Sequence, residues 1–240
     1  MYIGGICGAN KGNSVILNCE NNAIVENINN ENNENYDKYE CIGGICGIND
    51  TNSKIEKCTN SQNISGYNKI GGICGVNSNC SSIIECNNLA NIVTKDKCVC
   101  VYVGGICGVN LNNNSTISDC KNTGSIIGDK YVGGICGANL NSKVIKSENP
   151  INSNICIKGT SYVGGICGLS QGSNDNISQI SNCLNYISIS GISYLGGICG
   201  SNESYSNISE CKNNGQITIT KATGALEETK NQFIGGVCGV

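Results

Sequence analysis

Gly4-Gly5-Ile6-Cys7-Gly8 returns seven times along the chain, beginning at Gly43, Gly71, Gly104, Gly133, Gly164, Gly196 and Gly235, where the last copy reads Gly-Gly-Val-Cys-Gly. The copies stand 28 to 39 residues apart and run from one end of the 240 residues to the other. A supersecondary unit repeated at such intervals cannot bury its apolar face alone; it does so by stacking on its neighbours, which points to a solenoid. The chain therefore reads as a single repeat array over residues 1–240. Met1 sits directly ahead of the first copy and Val240 stands where Ala9 stands in it, so both ends stop in the same phase of the repeat. This leads to the expectation of a segment of a longer protein, one that no secretory signal opens.

Working outward from the pentapeptide, an aliphatic residue precedes each Gly-Gly: Ile3, Ile42, Ile70, Val103, Val132, Val163, Leu195 and Ile234. Before it stands Tyr at Tyr2, Tyr102, Tyr131, Tyr162 and Tyr194, with Cys41, Lys69 and Phe233 in the other copies. Two residues after the closing Gly comes Asn10, Asn49, Asn77, Asn110, Asn139 or Asn202, with Ser170 as the exception. A second block, Ile-x-x-Cys-x-Asn, carries Cys19, Cys58, Cys86, Cys120, Cys183 and Cys211, with Ser147 standing in once. Its Asn column, Asn21, Asn60, Asn88, Asn122, Asn149, Asn185 and Asn213, is unbroken. A third, looser block places an apolar residue at Ile24, Ile64, Ile92, Ile126, Ile187 and Ile217.

Short β-rich blocks separated by polar turns predict an all-β chain: a right-handed parallel β-helix, or β-solenoid, with three short strands per coil and about seven coils. Like residues would then lie about 4.8 Å apart along a rod on the order of 34 Å long. Stacked Asn amides would donate to one another from coil to coil, and Asn also suits left-handed turns. Gly-Gly would allow either close backbone passage or an unusual dihedral. The longest extra segments, from Glu26 to Glu40, Thr94 to Val101 and Lys221 to Gln232, all fall between the third block and the next Gly-Gly, so they are expected at one corner.

The composition narrows the function. Net charge is −3 without a basic cluster, which offers no phosphate-neutralising surface for nucleic acid. No stretch reaches the roughly 20 apolar residues of a membrane-spanning helix. The chain has no His, which removes the commonest general base and metal ligand; no catalytic residue and no cofactor is expected. Acidic residues such as Glu31, Glu34, Asp37, Glu40, Glu227 and Glu228 gather in the extra segments and read as solvated loop charges.

Nineteen cysteines need an account. Eight occupy the pentapeptide column, Cys7, Cys46, Cys74, Cys107, Cys136, Cys167, Cys199 and Cys238; six occupy the second block; Cys41, Cys80, Cys98, Cys100 and Cys156 lie outside both. The first reading makes the column cysteines small buried apolar side chains. Disulfides are the second, although neighbours in one column point the same way and would strain the bridge. A thiolate array for soft metals is the third, without any Cys-x-x-Cys or His to assist it.

The phrase Tyr-Val-Gly-Gly-Ile-Cys-Gly-x-Asn at Tyr131 to Asn139, and Ile-x-x-Cys-x-Asn-x-Gly at Ile117 to Gly124, resemble the GLUG repeat of bacterial surface proteins. The resemblance covers essentially the whole chain, and departs by placing Cys where the family usually has Val. It implies a secreted or wall-associated repeat region of adhesin-like proteins, found also beside the catalytic domain of some immunoglobulin-cleaving metallopeptidases. Their His-Glu-x-x-His is absent, so no catalytic role carries over. The expectation is a non-enzymatic extracellular or cell-surface stalk or adhesive surface, with a host or cell-surface protein or glycan as partner. The alternatives are a fibre subunit associating head to tail through uncapped ends and, behind it, a polysaccharide-active enzyme.

Overall fold

The computed structural model describes residues 1–28, 40–95, 101–152, 154–220 and 232–240. The first coil contains β1 (Tyr2–Gly4), β2 (Cys7–Lys11), β3 (Val15–Leu17), β4 (Glu20–Asn21) and β5 (Val25–Glu26). The next strand, β6 (Cys41–Gly43), lies parallel to β1 with Tyr2 opposite Cys41, Ile3 opposite Ile42 and Gly4 opposite Gly43. The same step of five strands carries every sheet forward. One eight-stranded and four seven-stranded sheets result, all pairs parallel, making a β-solenoid of seven complete coils with an eighth begun.

Each coil thus has five strand segments where the sequence predicts three. The first block is cut at Gly-Gly, and the second at a residue in the left-handed region. That residue is Asn18, Lys57, Glu85, Asp119, Lys146, Asn182 or Glu210, with φ between 49° and 55°. The residues of the two Asn columns are not themselves left-handed; the turn preference expected of them belongs to this other column. In the third block the register runs Val25, Ile64, Ile92, Ile126, Ile157, Ile189 and Ile217. Ile24 and Ile187 are therefore out of column, and Ile24 faces solvent.

The interior is two apolar lobes. One holds the pentapeptide Ile and Cys, such as Ile73 and Cys74, against the second-block Ile and Cys, such as Ile83 and Cys86. The other packs the aliphatic residue before Gly-Gly, such as Ile70 or Val103, against the fifth sheet's Ile92 and Ile126. Each buried Ile stabilises the fold by about 1.5–3 kcal/mol. The polar column of Asn60, Asn88 and Asn122 reaches across the coil from the fourth sheet to the second Gly of Gly-Gly and divides the lobes.

That contact explains the pentapeptide. A Cβ on Gly105 would overlap the Asn122 amide and the Gly134 carbonyl, and a Cβ on Gly104 would overlap the Cys107 carbonyl. Close passage, not an unusual dihedral, requires both glycines. Of the extra segments, residues 29–39, 96–100 and 221–231 lie outside the described residues, but the strands flanking these stretches always belong to the fifth and first sheets. All three are attached at the same edge of the solenoid.

Candidate functional site

Two amide ladders, two thiol columns and an outer aromatic stack run along the axis. In the first ladder Asn10 Nδ2 donates to Asn49 Oδ1 at 2.7 Å, Asn49 to Asn77 at 2.8 Å, Asn77 to Asn110 at 2.8 Å and Asn110 to Asn139 at 3.0 Å. Ser170 then accepts from Asn139 at 3.5 Å. In the second, Asn21, Asn60, Asn88 and Asn122 are linked in the same way at 2.8 to 2.9 Å, and Asn149, Asn185 and Asn213 at 3.1 and 2.9 Å. Each of these Nδ2 groups but that of Asn149 also donates to the carbonyl two residues on, as Asn88 does to Ala90 at 2.8 Å. A buried amide is thereby satisfied on both sides.

The second ladder breaks between Asn122 and Asn149. At the other coil steps the residue after the Asn donates its N–H to the coil before, as Leu89 does to the Asn60 carbonyl and Thr123 to that of Asn88. At this step the residue is Pro150, which has no N–H. Asn149 turns its Nδ2 to the Gly165 carbonyl and leaves its buried Oδ1 without a partner. The same coil carries Ser147 in place of the column Cys.

All seventeen described cysteines carry free thiols. They are not merely apolar filler, because each column thiol has polar work. In the pentapeptide column Cys46 donates to the Ile48 carbonyl at 3.1 Å, Cys74 to Val76 at 3.1 Å and Cys107 to Val109 at 3.2 Å. In the second column Cys86 donates to the Ile84 carbonyl at 3.3 Å and accepts the Cys58 N–H at 3.4 Å. Ser147 fills the same place, donating to Ile145 at 3.0 Å and accepting the Cys120 N–H at 3.2 Å. Burial pushes the Cys74, Cys136, Cys167 and Cys199 thiols well up and raises that of Cys107, so they stay protonated. Half-buried Cys238 and Cys211 are drawn down to about 7 by the neighbouring column thiols, Cys199 and Cys183. Of the remaining cysteines Cys41 is buried, Cys156 half-buried and Cys80 exposed, while Cys98 and Cys100 lie outside the described residues.

Outside the barrel of strands, Tyr102, Tyr131, Tyr162, Tyr194 and Phe233 stack with ring centroids 4.9, 4.8, 4.4 and 5.2 Å apart. Tyr131, Tyr162 and Tyr194 reach this position from left-handed backbone at φ 53° to 54°. Tyr102 and Tyr131 cover Val76, Val109, Ala138 and Leu169 on the outer face of the second sheet. Lys130 Nζ lies 4.8 Å from the Tyr131 ring and 5.4 Å from Tyr162. The Tyr column is visible in the sequence; that it forms a second, external packing layer is not.

Glu40 departs from the reading of it as a solvated loop charge. It is fully buried, and its carboxylate accepts the Tyr67 N–H at 2.7 Å, the Asn68 N–H at 2.9 Å and the Asn27 amide. Glu31, Glu34, Asp37, Glu227 and Glu228 lie outside the described residues. Among the described residues no group of three or more His, Cys, Asp or Glu is placed to hold a metal, and no helix is long and apolar enough to cross a membrane.

No curated protein and no solved structure matches the chain. A family model of the GLUG motif matches residues 38–65, 100–127 and 191–220. Each match spans one coil, from its strand in the first sheet to its strand in the fifth. The chain is therefore a β-solenoid repeat protein that carries GLUG motifs, with one motif corresponding to one turn of the solenoid.

Proposed function

We propose that this chain is a non-enzymatic structural rod of an extracellular or cell-surface protein, serving as a stalk or adhesin-like surface that presents variable segments to a protein or glycan partner. The observation that carries this reading is the common edge to which all three long segments are attached, on a body whose coils repeat in register. Cohesion in such a body runs from coil to coil through parallel hydrogen bonds and amide ladders, so the spine keeps its form while loops at one edge vary. The GLUG motifs fit the same reading.

The test uses the 240-residue chain and a variant lacking Asn29 to Lys38, immobilised and probed with extracellular-matrix proteins and a glycan array. The expected result is binding by the parent chain, weakened at least tenfold in the deletion, with an unchanged β-sheet circular dichroism spectrum. Loss of that spectrum on deletion, or cleavage of any glycan on the array, would refute the proposal. Sedimentation over a wide concentration range completes the test: mass that grows without limit would replace the stalk with a fibre.

A further inference from the structure

Lys95 directly follows the third coil's strand in the fifth sheet (Ile92–Thr94), yet its ammonium reaches back to the first coil. There Nζ donates to the Asn27 main-chain carbonyl at 2.7 Å and pairs with Glu26 Oε1 at 2.7 Å. The nearly buried Tyr67 ring stands 5.9 Å from the same Nζ. Only Cα and Cβ separate the Asn27 carbonyl from the side-chain amide carbon, Cγ. That amide is buried, and its Nδ2 donates to Glu40 Oε1. Glu40 is held in turn by the Tyr67 and Asn68 N–H groups, which donate to its Oε2 at 2.7 and 2.9 Å. Gly66 leaves the space for it, because a Cβ there would overlap Ile42 and touch both carboxylate oxygens. A primary amine, a primary amide and two carboxylates are thus gathered at one point, with one carboxylate on each of the two nitrogens.

We propose that this cluster closes an intramolecular isopeptide bond between Lys95 Nζ and Asn27 Cγ, in a single reaction of the chain upon itself. A lysine amine is a competent nucleophile toward a carbonyl carbon once it has lost its proton. Glu26, at hydrogen-bond distance from Nζ, takes that proton. The Lys95 stem then swings from the Asn27 carbonyl to bring Nζ to about 3–3.5 Å from Cγ, the separation at which held reactants attack. Attack sets Nζ beside Nδ2 and so within reach of Glu40 Oε1, which carries the second Nζ proton across to Nδ2. The Cγ–Nδ2 bond breaks, the Nζ–Cγ bond remains, and ammonia departs with the Glu26 proton as ammonium. One amine and one amide become one secondary amide; no electron is transferred. The product ties the first coil covalently to the third, between the strands that flank the segments at 29–39 and 96–100. The bond stands apart from the stalk reading and holds whether or not those segments bind a partner.

The experiment takes the folded, reduced 240-residue chain, measures its intact mass over days of incubation, and maps its proteolytic peptides by tandem mass spectrometry. The expected result is a mass short of the sequence by one ammonia, with a branched peptide that joins Asn27 to Lys95. Lys95→Arg keeps the positive charge but offers no amine nucleophile, and should restore the full mass with the β-sheet circular dichroism spectrum unchanged. Glu40→Gln should slow the bond by about 100-fold or more, the usual contribution of a positioned proton-transfer group. A folded parent chain that keeps its full mass would overturn the proposal. So would a missing ammonia without the branched peptide, since asparagine can lose ammonia by closing on its own backbone, or a branched peptide joined to Asn27 in the Lys95→Arg chain. An undiminished rate in folded Glu40→Gln would remove Glu40 from the reaction and with it the mechanism. Lys95 is partly exposed, so the Lys95→Arg arm keeps its meaning even where Glu40→Gln fails to fold.

Discussion

Replacing Asn88 by Asp changes almost nothing in shape and keeps a residue suited to turns, yet it removes the donor on which the second amide ladder depends. Asn88 Nδ2 donates to Asn122 Oδ1 at 2.9 Å and to the Ala90 carbonyl at 2.8 Å, while Oδ1 accepts from Asn60 at 2.9 Å. Two buried hydrogen bonds are lost at about 1 kcal/mol each. The carboxylate then faces two acceptors in a fully buried site, which adds several kcal/mol. The total is at least about 4 kcal/mol at neutral pH, or a melting temperature roughly 8–16 °C lower for a chain of this size. With acceptors around it the Asp has its folded-state pKa raised. Its deficit is therefore complete above that pKa and shrinks as the pH falls toward about 4, where the protonated acid donates one bond again. Thermal melts followed by circular dichroism at pH 7 and pH 4 measure both effects. A variant that melts within 2 °C of the parent at pH 7 would show that the amide bonds do not hold the coils together.

Pro150→Ser restores an N–H opposite the Asn122 carbonyl and lets Asn149 rejoin its ladder; two regained bonds of about 1 kcal/mol each outweigh the roughly 0.4–1 kcal/mol of chain entropy that Pro removes from the unfolded state. Urea titration should show net stabilisation, and a loss would refute the account of the break. Cys86→Ser should be tolerated within about 1 kcal/mol, as Ser147 already is, whereas Cys86→Ala leaves the Cys58 N–H unpaired and should cost about 1–3 kcal/mol. Equal effects of the two in chemical denaturation would make the column apolar filler after all. Gly105→Ala should destabilise by about 3 kcal/mol or more through overlap with backbone, and a melting temperature within 2 °C of the parent would refute close passage as the reason for the glycine.

The coil-on-coil architecture is legible in the sequence because stacking sets like over like. The Cys, Asn and aliphatic columns of the first two blocks are true register columns for that reason. The third block is less clear. Val25, Ile64, Ile92, Ile126, Ile189 and Ile217 all stand four residues after their ladder Asn, and choosing Ile24 and Ile187 overlooks that constant offset. The coil containing Pro150 breaks the offset and places Ile157 in the column instead. The left-handed column is hidden because Asn, Lys, Glu and Asp fill it in turn, so backbone geometry there leaves no chemical signature. Nor does a one-dimensional pattern show that Asn122 meets Gly105 across the coil, or that Glu40 is buried among backbone N–H groups; both are contacts between residues far apart in sequence. Of the candidate sites, the thiol columns are legible as positions, but their hydrogen-bonding duties depend on neighbours one coil away.

Because every coil offers its successor the same register that it receives from its predecessor, the joint between any two turns is interchangeable with most others. Duplicating or excising one whole turn would leave the new junction chemically ordinary, so a gene encoding this architecture can lengthen or shorten its product by unequal recombination, in increments of about 4.8 Å. Reach becomes a heritable quantity that selection can adjust without redesigning a single interior side chain.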